Sequence, residues 1–401
     1  MSKLLAQHGA AKGKKINDSL NFGSLSGAIF SINDETFNSI NTYVQSSDLL
    51  DKNNSYLDPQ FYYSTFDVAL QKKLNEVSIF PTDITRRDWR NREAKVLDYI
   101  EYHAKSSKLI SNQLITPGFY IDNIDWHFDY SVEIYNYCME KYKFDNYALS
   151  LLVQSSFFNN KKNVQEMIEE LDDLCDKRDY IYLTICYDNN TDNNYEDIDS
   201  NCLGNILSFI YQSQQKGFKF LIGYGFMNSV LFAMLGCEYV ASGWFNTLRK
   251  FQKSKFETVN SFGRRKKRYT SIPLLSYIMF DDINIMVDSD QITKKEIISG
   301  TDYDDSFLYG EDLLSFVDLE HQYWQSLKNV FDELESISNL AERVSYIQDS
   351  ISKAQEIYKK VCKKLDERNE QESLKRIKSA SKHLLSWKVA IDLFRQNEMI
   401  L

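Results

Sequence analysis

Aspartate residues recur at the ends of β-rich runs in this 401-residue sequence. A carboxylate in that position can hold a divalent cation or transfer a proton. The same residue type also caps the amino ends of helices, so capping is the competing interpretation at each position. Asp188, which directly follows a strand-like run and precedes a long polar loop, is the first catalytic candidate, and Asp67 is the second. The other residues in equivalent positions are Asp34, Asp83, Asp122 and Ser155.

Positive charge is concentrated in one segment of a chain whose net charge is −10. Residues 249–268 contain nine basic side chains and a single acidic one, Glu257. Such a cluster is typical of a surface that contacts nucleic-acid phosphates, and it predicts binding that weakens steeply with salt. A solvated loop that pairs with the acidic remainder of the chain is the alternative. The residues predicted to contact nucleic acid (tRNA or DNA) are Arg249, Lys250, Arg264, Arg265, Lys266, Lys267 and Arg268.

A glycine-containing segment over residues 220–250 has the order strand, Gly-x-Gly, helix, strand, small residues, helix. It is similar to the last two strand–helix units of many TIM barrels, in which backbone N–H groups of the loops bind a phosphate. This resemblance implies a phosphate site at Gly223, Gly225, Ser242 and Gly243. A tight turn without a ligand is the alternative interpretation of the two glycines at 223 and 225.

The same segment resembles the end of the tRNA-guanine transglycosylase barrel. The similar motifs are LIGYG at residues 221–225 and the helix that ends in MLG at residues 234–236. The resemblance covers about 30 residues. It implies a barrel end of that type, but Ala241 occupies the position of the family's aspartate nucleophile, and the clustered zinc-binding cysteines are absent. The family's chemistry is therefore expected to be lost or moved to other residues.

Several other chemistries are disfavoured by the sequence. The six cysteines show no C-x-x-C spacing, and the five histidines show no metal-ligand grouping, so we predict no metal site. The P-loop and the G-x-S-x-G motif are absent, and the sequence leaves the identity of any cofactor unknown. No apolar run approaches the ~20 residues of a membrane span. Unpaired cysteines within apolar segments indicate a reducing cytoplasm.

The elements that must position these residues alternate between strand and helix. Alternation of this kind indicates βαβ units, and eight units over some 230 residues predict a (β/α)8 TIM-like barrel of the α/β class. An open doubly wound sheet is the alternative, disfavoured because no G-x-G-x-x-G turn follows the first strand. The eight predicted strands are residues 27–32, 61–66, 77–80, 114–121, 148–153, 180–187, 218–224 and 237–242.

The chain outside the barrel is predicted to be a leader and a helical appendage. Residues 1–25 are expected to be flexible, residues 26–300 to form the barrel with a basic insertion at 249–268, and residues 311–401 to form an α-helical hairpin. Apolar residues from Val344 to Leu365 recur at spacings of three and four, and a second stripe runs from Leu374 to Phe394. The two stripes can bury each other, or can form a homo-oligomer or partner interface.

Two main functional hypotheses remain open at this point; a third, a phosphosugar or nucleotide enzyme of ordinary metabolism, fits the glycine loops but leaves the basic run at residues 264–268 unexplained. In the first, the barrel binds a tRNA-like nucleic acid or a nucleotide phosphate and modifies a base or nucleotide with a rim aspartate. In the second, the barrel is a non-catalytic scaffold that joins a multiprotein complex through its C-terminal coiled coil. Aspartates that converge with the glycine loops would favour an enzyme, whereas a rim filled with aromatic side chains would favour the scaffold.

Overall fold

The computed structural model describes residues 2–66, 72–175, 178–187, 195, 198–253 and 266–400 of the chain. The chain divides into two compact units. The first unit comprises residues 1–189, 209–226 and 237–260, and the second comprises residues 190–208, 227–236 and 261–401. The units interleave along the chain, whereas the predicted domains are continuous stretches.

The first unit contains a nearly closed barrel of parallel strands, which confirms the predicted (β/α)8-type fold. The strands are β1 (Lys3–Gln7), β2 (Gly27–Ser31), β3 (Ser55–Asp58), β4 (Gln113–Ile115), β5 (Tyr120–Ile121), β6 (Asn146–Gln154), β7 (Tyr180–Cys186), β8 (Lys219–Gly223) and β9 (Tyr239–Ser242). Their hydrogen-bonded order is β3-β2-β1-β9-β8-β7-β6-β4, and β5 also pairs with β6. β4 and β5 both pair with β6. They therefore occupy one strand position of the barrel, which is interrupted at Pro117 and Gly118.

Helices alternate with these strands along the chain. They are α1 (Lys15–Asn21), α2 (Phe37–Gln45), α3 (Arg86–Arg90), α4 (Ala94–Ile110), α5 (Trp126–Lys141), α6 (Lys161–Leu174), α7 (Ser200–Gln215), α8 (Ser229–Met234) and α9 (Asn246–Arg249). Helix α6 illustrates the pattern, since Asn160 caps its first turn and Val164, Met167, Ile168 and Leu171 form one buried stripe. The described chain also has 3-10 helices at Phe61–Thr65, Lys72–Glu76, Ser155–Asn159, Phe226–Asn228, Lys294–Ile297 and Glu311–Leu313.

The predicted leader is wrong, because residues 3–7 form a strand inside the barrel sheet. β1 pairs in parallel with β2 on one side and with β9 on the other. Leu4, Leu5 and Ala6 are fully buried. The pairing partner on β9 lies more than 230 residues away in the sequence, so a local reading of composition does not detect this strand.

Two of the predicted strands are also wrong. Residues 61–66 contain a 3-10 helix, and residues 77–80 form turns. The true third strand, β3, ends at Asp58 because Pro59 lacks the N–H that would continue the hydrogen-bond ladder. Phe61, Tyr62 and Tyr63 are buried within this 3-10 helix, so the aromatic composition of the run reflects burial and does not indicate a strand.

The second unit carries an antiparallel hairpin and the C-terminal helices. These elements are β10 (Arg268–Ser271), β11 (Ser276–Met279), α10 (Phe280–Asp288), α11 (Asp304–Tyr309), α12 (Phe316–Ser336), α13 (Leu340–Glu367) and α14 (Gln371–Glu398). α13 and α14 pack together as the predicted helical hairpin. Every residue of the predicted α13 seam from Val344 to Leu365 is buried, as are Leu374, Trp387 and Phe394 of α14. No helix of the described chain is long and apolar enough to cross a membrane.

Candidate functional site

The inward-facing side chains of the barrel change from apolar to polar toward the carboxyl ends of the strands. Leu5 of β1, Tyr56 of β3 and Leu221 of β8 belong to the buried apolar core. Successive side chains alternate across a strand, so the residue two positions further along faces the same side. Those residues are Gln7, Asp58 and Gly223. The barrel therefore has a polar layer at its carboxyl end, where the active sites of such barrels lie.

Asp58 is the charged residue of this layer, and its side chain is fully buried. Its Oδ1 accepts the backbone N–H of Gln60 at 3.0 Å. Its Oδ2 accepts the hydroxyls of Tyr62 at 3.2 Å and of Tyr182 at 3.1 Å. Burial of a carboxylate is costly unless hydrogen bonds compensate for the lost water, and these three donors provide that compensation.

The tyrosines around Asp58 remain protonated donors. Burial raises the pKa of Tyr62, Tyr182 and Tyr224 well above the ordinary value of 10, and the negative charge of Asp58 raises each of them further. A phenol that stays neutral at physiological pH can donate a hydrogen bond to the carboxylate throughout that range. The cluster is thus a fixed array of neutral donors around one buried acid.

Gln7 lies at the end of β1 within the same cluster, beside the hydroxyl of Tyr224. Its side chain is fully buried and interacts with the Tyr224 hydroxyl, but neither its Nε2 nor its Oε1 makes a hydrogen bond of normal geometry among the described residues. A buried carboxamide whose hydrogen bonds are incomplete costs up to about 1–3 kcal/mol. A ligand with matching donors and acceptors would remove this cost.

Phe251 covers this polar layer. After β9 the chain crosses the mouth of the barrel, where Phe251 forms an isolated parallel bridge with Cys186 and accepts the N–H of Tyr187 at 3.1 Å. The Phe251 ring is fully buried and contacts the rings of Tyr62 and Tyr224 edge-on, each at 5.3 Å between centroids. We call residues 250–253 the strap, because they close the mouth over Asp58.

Two lysines of the strap lie on either side of Phe251. Lys253 places its Nζ 3.9 Å from the centre of the Tyr120 ring and 5.3 Å from that of Phe66. Lys250 lies 5.8 Å from the centre of the Phe226 ring. These are cation–π contacts, which hold an ammonium group without neutralising it.

Strained backbone occurs beside the site. Gln60 after β3 has φ +52°, and Tyr224 and Phe226 after β8 have φ +56° and +44°. Residues with side chains rarely adopt this left-handed region, and such strain concentrates at ligand sites. Gln60 is held by its carboxamide, which donates to Ser31 Oγ at 2.7 Å and accepts the N–H of Asn33 at 2.9 Å.

The predicted phosphate site at the glycine loops does not have the expected form. A Cβ at Gly223 would lie 2.6 Å from Thr184 Oγ1, and one at Gly243 would lie 2.3 Å from Leu248 Cγ. Both glycines therefore serve close packing. The Gly225 N–H donates to the carbonyl of Ala241 at 2.8 Å, and Ser242 is fully buried.

The predicted basic surface is also corrected in part. Arg249 is fully buried, and it donates to the carbonyls of Gly243 and Trp244 at 3.1 and 3.0 Å, so it braces the loop after β9. In the second unit, Lys266 pairs with Asp281 at 2.9 Å and Lys267 donates to a backbone carbonyl at 3.0 Å. Arg268 is 8% exposed and lies within β10. Arg264 and Arg265 lie outside the described residues.

The two predicted catalytic residues, Asp67 and Asp188, also lie outside the described residues. Of the other candidates, Asp83 and Asp122 are exposed, and Asp34 accepts the hydroxyl of Ser31 at 3.0 Å. Sequence reasoning missed Asp58 because it placed its second strand at residues 61–66, just beyond the strand that ends at Asp58. The signal that could have found it is the short run SYLD ended by Pro59.

A second ionic cluster at the mouth was also missed. His8, which follows β1, is fully buried and accepts the N–H of Ser31 at Nδ1, 3.3 Å away. Its Nε2 lies 3.6 Å from Glu35, whose carboxylate also binds Lys12 and the Ser39 hydroxyl. Contact with His8, then Lys12 and Ser39, lowers the pKa of Glu35 to about 2 despite partial burial. The cluster ties the loop after β1 to the loop after β2.

The fold and this site define a (β/α)8-type barrel protein with an appended α-helical hairpin and a buried acidic centre at the carboxyl end of the strands. Across the described part of the chain, no group of three or more His, Cys, Asp or Glu side chains is arranged to hold a metal ion. Comparison with known proteins gives no match to a family model, a curated protein or a solved structure.

Proposed function

We propose that the mouth of the barrel binds a planar heterocycle with N–H donors, of the nucleobase class, and that Asp58 anchors it. The single observation that carries this proposal is the polar layer of the barrel, which holds a buried carboxylate, Asp58, and a fully buried, incompletely hydrogen-bonded carboxamide, Gln7. Both groups lie where barrels of this type bind their ligands.

The hydrogen-bonding chemistry supports a nucleobase. A carboxylate accepts hydrogen bonds from amino and imino N–H groups, and a glutamine carboxamide can donate and accept at once along a base edge. A base that is out of its stack is recognised in this way, by hydrogen bonds to its edge and by aromatic faces above and below.

The aromatic lining supports a flat ligand. The Phe251 ring contacts the rings of Tyr62 and Tyr224 edge-on, and a flat heterocycle can take its position when the Phe251 side chain turns aside while the strap stays in place. Edge-to-face aromatic pairs of this kind contribute about 0.5–1.5 kcal/mol each. The bound heterocycle would then replace the buried Phe251 ring and would also form hydrogen bonds with the Gln7 carboxamide.

The resemblance of residues 221–225 and 234–236 to the end of the tRNA-guanine transglycosylase barrel also supports a base as the ligand. Ala241, at the family's nucleophile position, is fully buried in the apolar core. A reaction at that position is therefore not part of the proposal. Any modification of the base would use Asp58, because a carboxylate can act as a general base or a nucleophile.

Calorimetric titration with adenine, guanine, cytosine and uracil tests the proposal. We expect at least one base to bind the wild type, and Asp58→Asn to weaken that binding about 10- to 100-fold, because a hydrogen bond to a charged group is lost. Asp122→Asn, which changes an exposed aspartate of the same unit, is the matched control. Thermal melting confirms that each variant is folded. No binding of any base, or equal binding by Asp58→Asn, would refute the proposal.

A scaffold is the second candidate, because the mouth is filled with aromatic side chains and α14 exposes apolar residues. Leu385 is 62% exposed and Val389, one turn later, is 38% exposed. Light scattering after gel filtration distinguishes a monomer of 47.0 kDa from a self-associated scaffold. A monomer at all concentrations would exclude self-association through α14.

A further inference from the structure

The strap carries two positive charges that form no ion pair with the acidic groups of the described residues. No carboxylate of the described chain lies within 4 Å of the Nζ of Lys250 or Lys253, whose contacts are with aromatic faces. Three other lysines of the first unit differ in this respect, because Lys12 pairs with Glu35, Lys95 with Asp88 and Lys105 with Glu101. Lys3 and Lys219 also contact aromatic faces, but they lie at the starts of their strands, whereas the strap lies at the carboxyl end of the barrel.

An ammonium group on an aromatic face keeps its N–H donors available for an anion. Each lysine has three N–H donors. The aromatic ring attracts the positive charge without accepting a conventional hydrogen bond. Lys253 is exposed and Lys250 is half-buried, so an anion can reach both. The rings of Tyr120, Phe66 and Phe226 fix the positions from which the two groups act.

The spacing along the strap places the backbone of both lysines next to the proposed base site. Lys250 adjoins Phe251, and Lys253 is two residues beyond it, so their Cα atoms lie within about 7 Å of the Phe251 Cα. This distance suits a group joined to a base through a sugar. Phosphate esters are the anions that lysine binds as a point charge in such positions.

We propose that Lys250 and Lys253 bind the phosphate of a nucleotide whose base occupies the Asp58 site. This inference rests on the proposed function and specifies its ligand as a nucleotide, either free or within a strand. It replaces Arg249 and the glycine loops with the two strap lysines as the phosphate contacts.

The experiment compares a nucleobase that binds, its nucleoside, its 5′-monophosphate and a short single-stranded oligonucleotide of the same base. Each is titrated into the wild type, Lys250→Gln, Lys253→Gln and the double variant at low and high salt. Lys219→Gln is the matched control, because Lys219 is also exposed and contacts an aromatic face, that of Tyr180, but lies at the start of β8. Thermal melting shows whether the strap variants remain folded.

We expect the monophosphate to bind the wild type about 10-fold or more tightly than the nucleoside, as one charge-assisted hydrogen bond supplies. High salt and the double variant should reduce that affinity to the nucleoside level, with no change for nucleoside or for Lys219→Gln. Stronger binding of the oligonucleotide than of the monophosphate would identify a strand as the source of the phosphate, and the reverse would identify a free nucleotide.

Different results separate the two proposals. If the base and nucleoside bind through Asp58 but the phosphate adds nothing, or the double variant retains the gain, the lysine assignment is overturned and the base site stands. If no base or nucleoside binds through Asp58, the proposed function fails and this inference fails with it.

Discussion

Replacement of Phe251 by alanine tests most directly whether the Phe251 ring occupies the ligand site at the mouth of the barrel. The ring is fully buried and contacts Tyr62 and Tyr224 at 5.3 Å each, so its removal loses apolar burial and leaves a cavity. Truncations of this kind cost about 3–5 kcal/mol of unfolding free energy. The cavity would border Tyr62, which donates to Asp58, and Tyr224, which interacts with Gln7, and would have the size of a missing aromatic ring.

The stability loss should be partly reversed by a base that fills this cavity. A ligand at 100 times its dissociation constant stabilises the folded state by about 2.7 kcal/mol. We therefore expect urea unfolding of Phe251→Ala to shift to lower urea without ligand and to recover most of the shift with saturating base. The base should also bind Phe251→Ala more tightly than wild type, because no ring must be displaced.

Phe220→Ala is the matched control for this experiment. Phe220 is also a fully buried ring of the first unit, but it lies on β8 and packs against Phe209. Its truncation should cost a similar free energy that the base does not restore beyond the wild-type effect. Equal recovery in both variants, or a loss below about 1 kcal/mol for Phe251→Ala, would refute the description of Phe251 as a ring that occupies the ligand site.

Two further predictions concern the loops and the packing around the mouth. Glu35 has a folded-state pKa of about 2 against an ordinary 4.5, so its contribution to stability is present above pH 4.5 and is lost as the pH falls toward 2. Urea unfolding from pH 6 to pH 2 should show that the wild type loses about 2 kcal/mol more unfolding free energy than Glu35→Gln does. This figure is smaller than the full pKa shift implies, because the carboxylate is partly exposed. Parallel curves of unfolding free energy against pH would contradict this prediction. Gly223→Ala would force a Cβ to 2.6 Å from Thr184 Oγ1 and 2.9 Å from the Tyr182 hydroxyl. This variant should lose about 1–3 kcal/mol of unfolding free energy and should bind the base more weakly, because Tyr182 is displaced. Gly310→Ala, which has open space around it, is the control and should change stability by less than about 0.5 kcal/mol. An unchanged stability of Gly223→Ala would contradict the packing argument.

Several elements were predictable from the sequence because their patterns are local. The strands β6 to β9 are apolar runs bounded by turn residues, and burial on both faces of a parallel strand requires such runs. The α13 seam from Val344 to Leu365 repeats every three or four residues, which is the spacing that places one stripe on a helix face. Strand–helix alternation then determines the class of fold.

The candidate site was not predictable in the same way, because non-local contacts decide it. β1 is a strand only because β2 and β9 lie on either side of it, and FYYSTF has strand composition but is buried in a 3-10 helix. Asp58, Gln7 and Phe251 come from three distant segments, and only closure of the barrel brings them together. The sequence alone determined which residues are apolar, charged or aromatic and how they repeat; the tertiary structure decided which of them meet, since pairing and burial depend on partners hundreds of residues away.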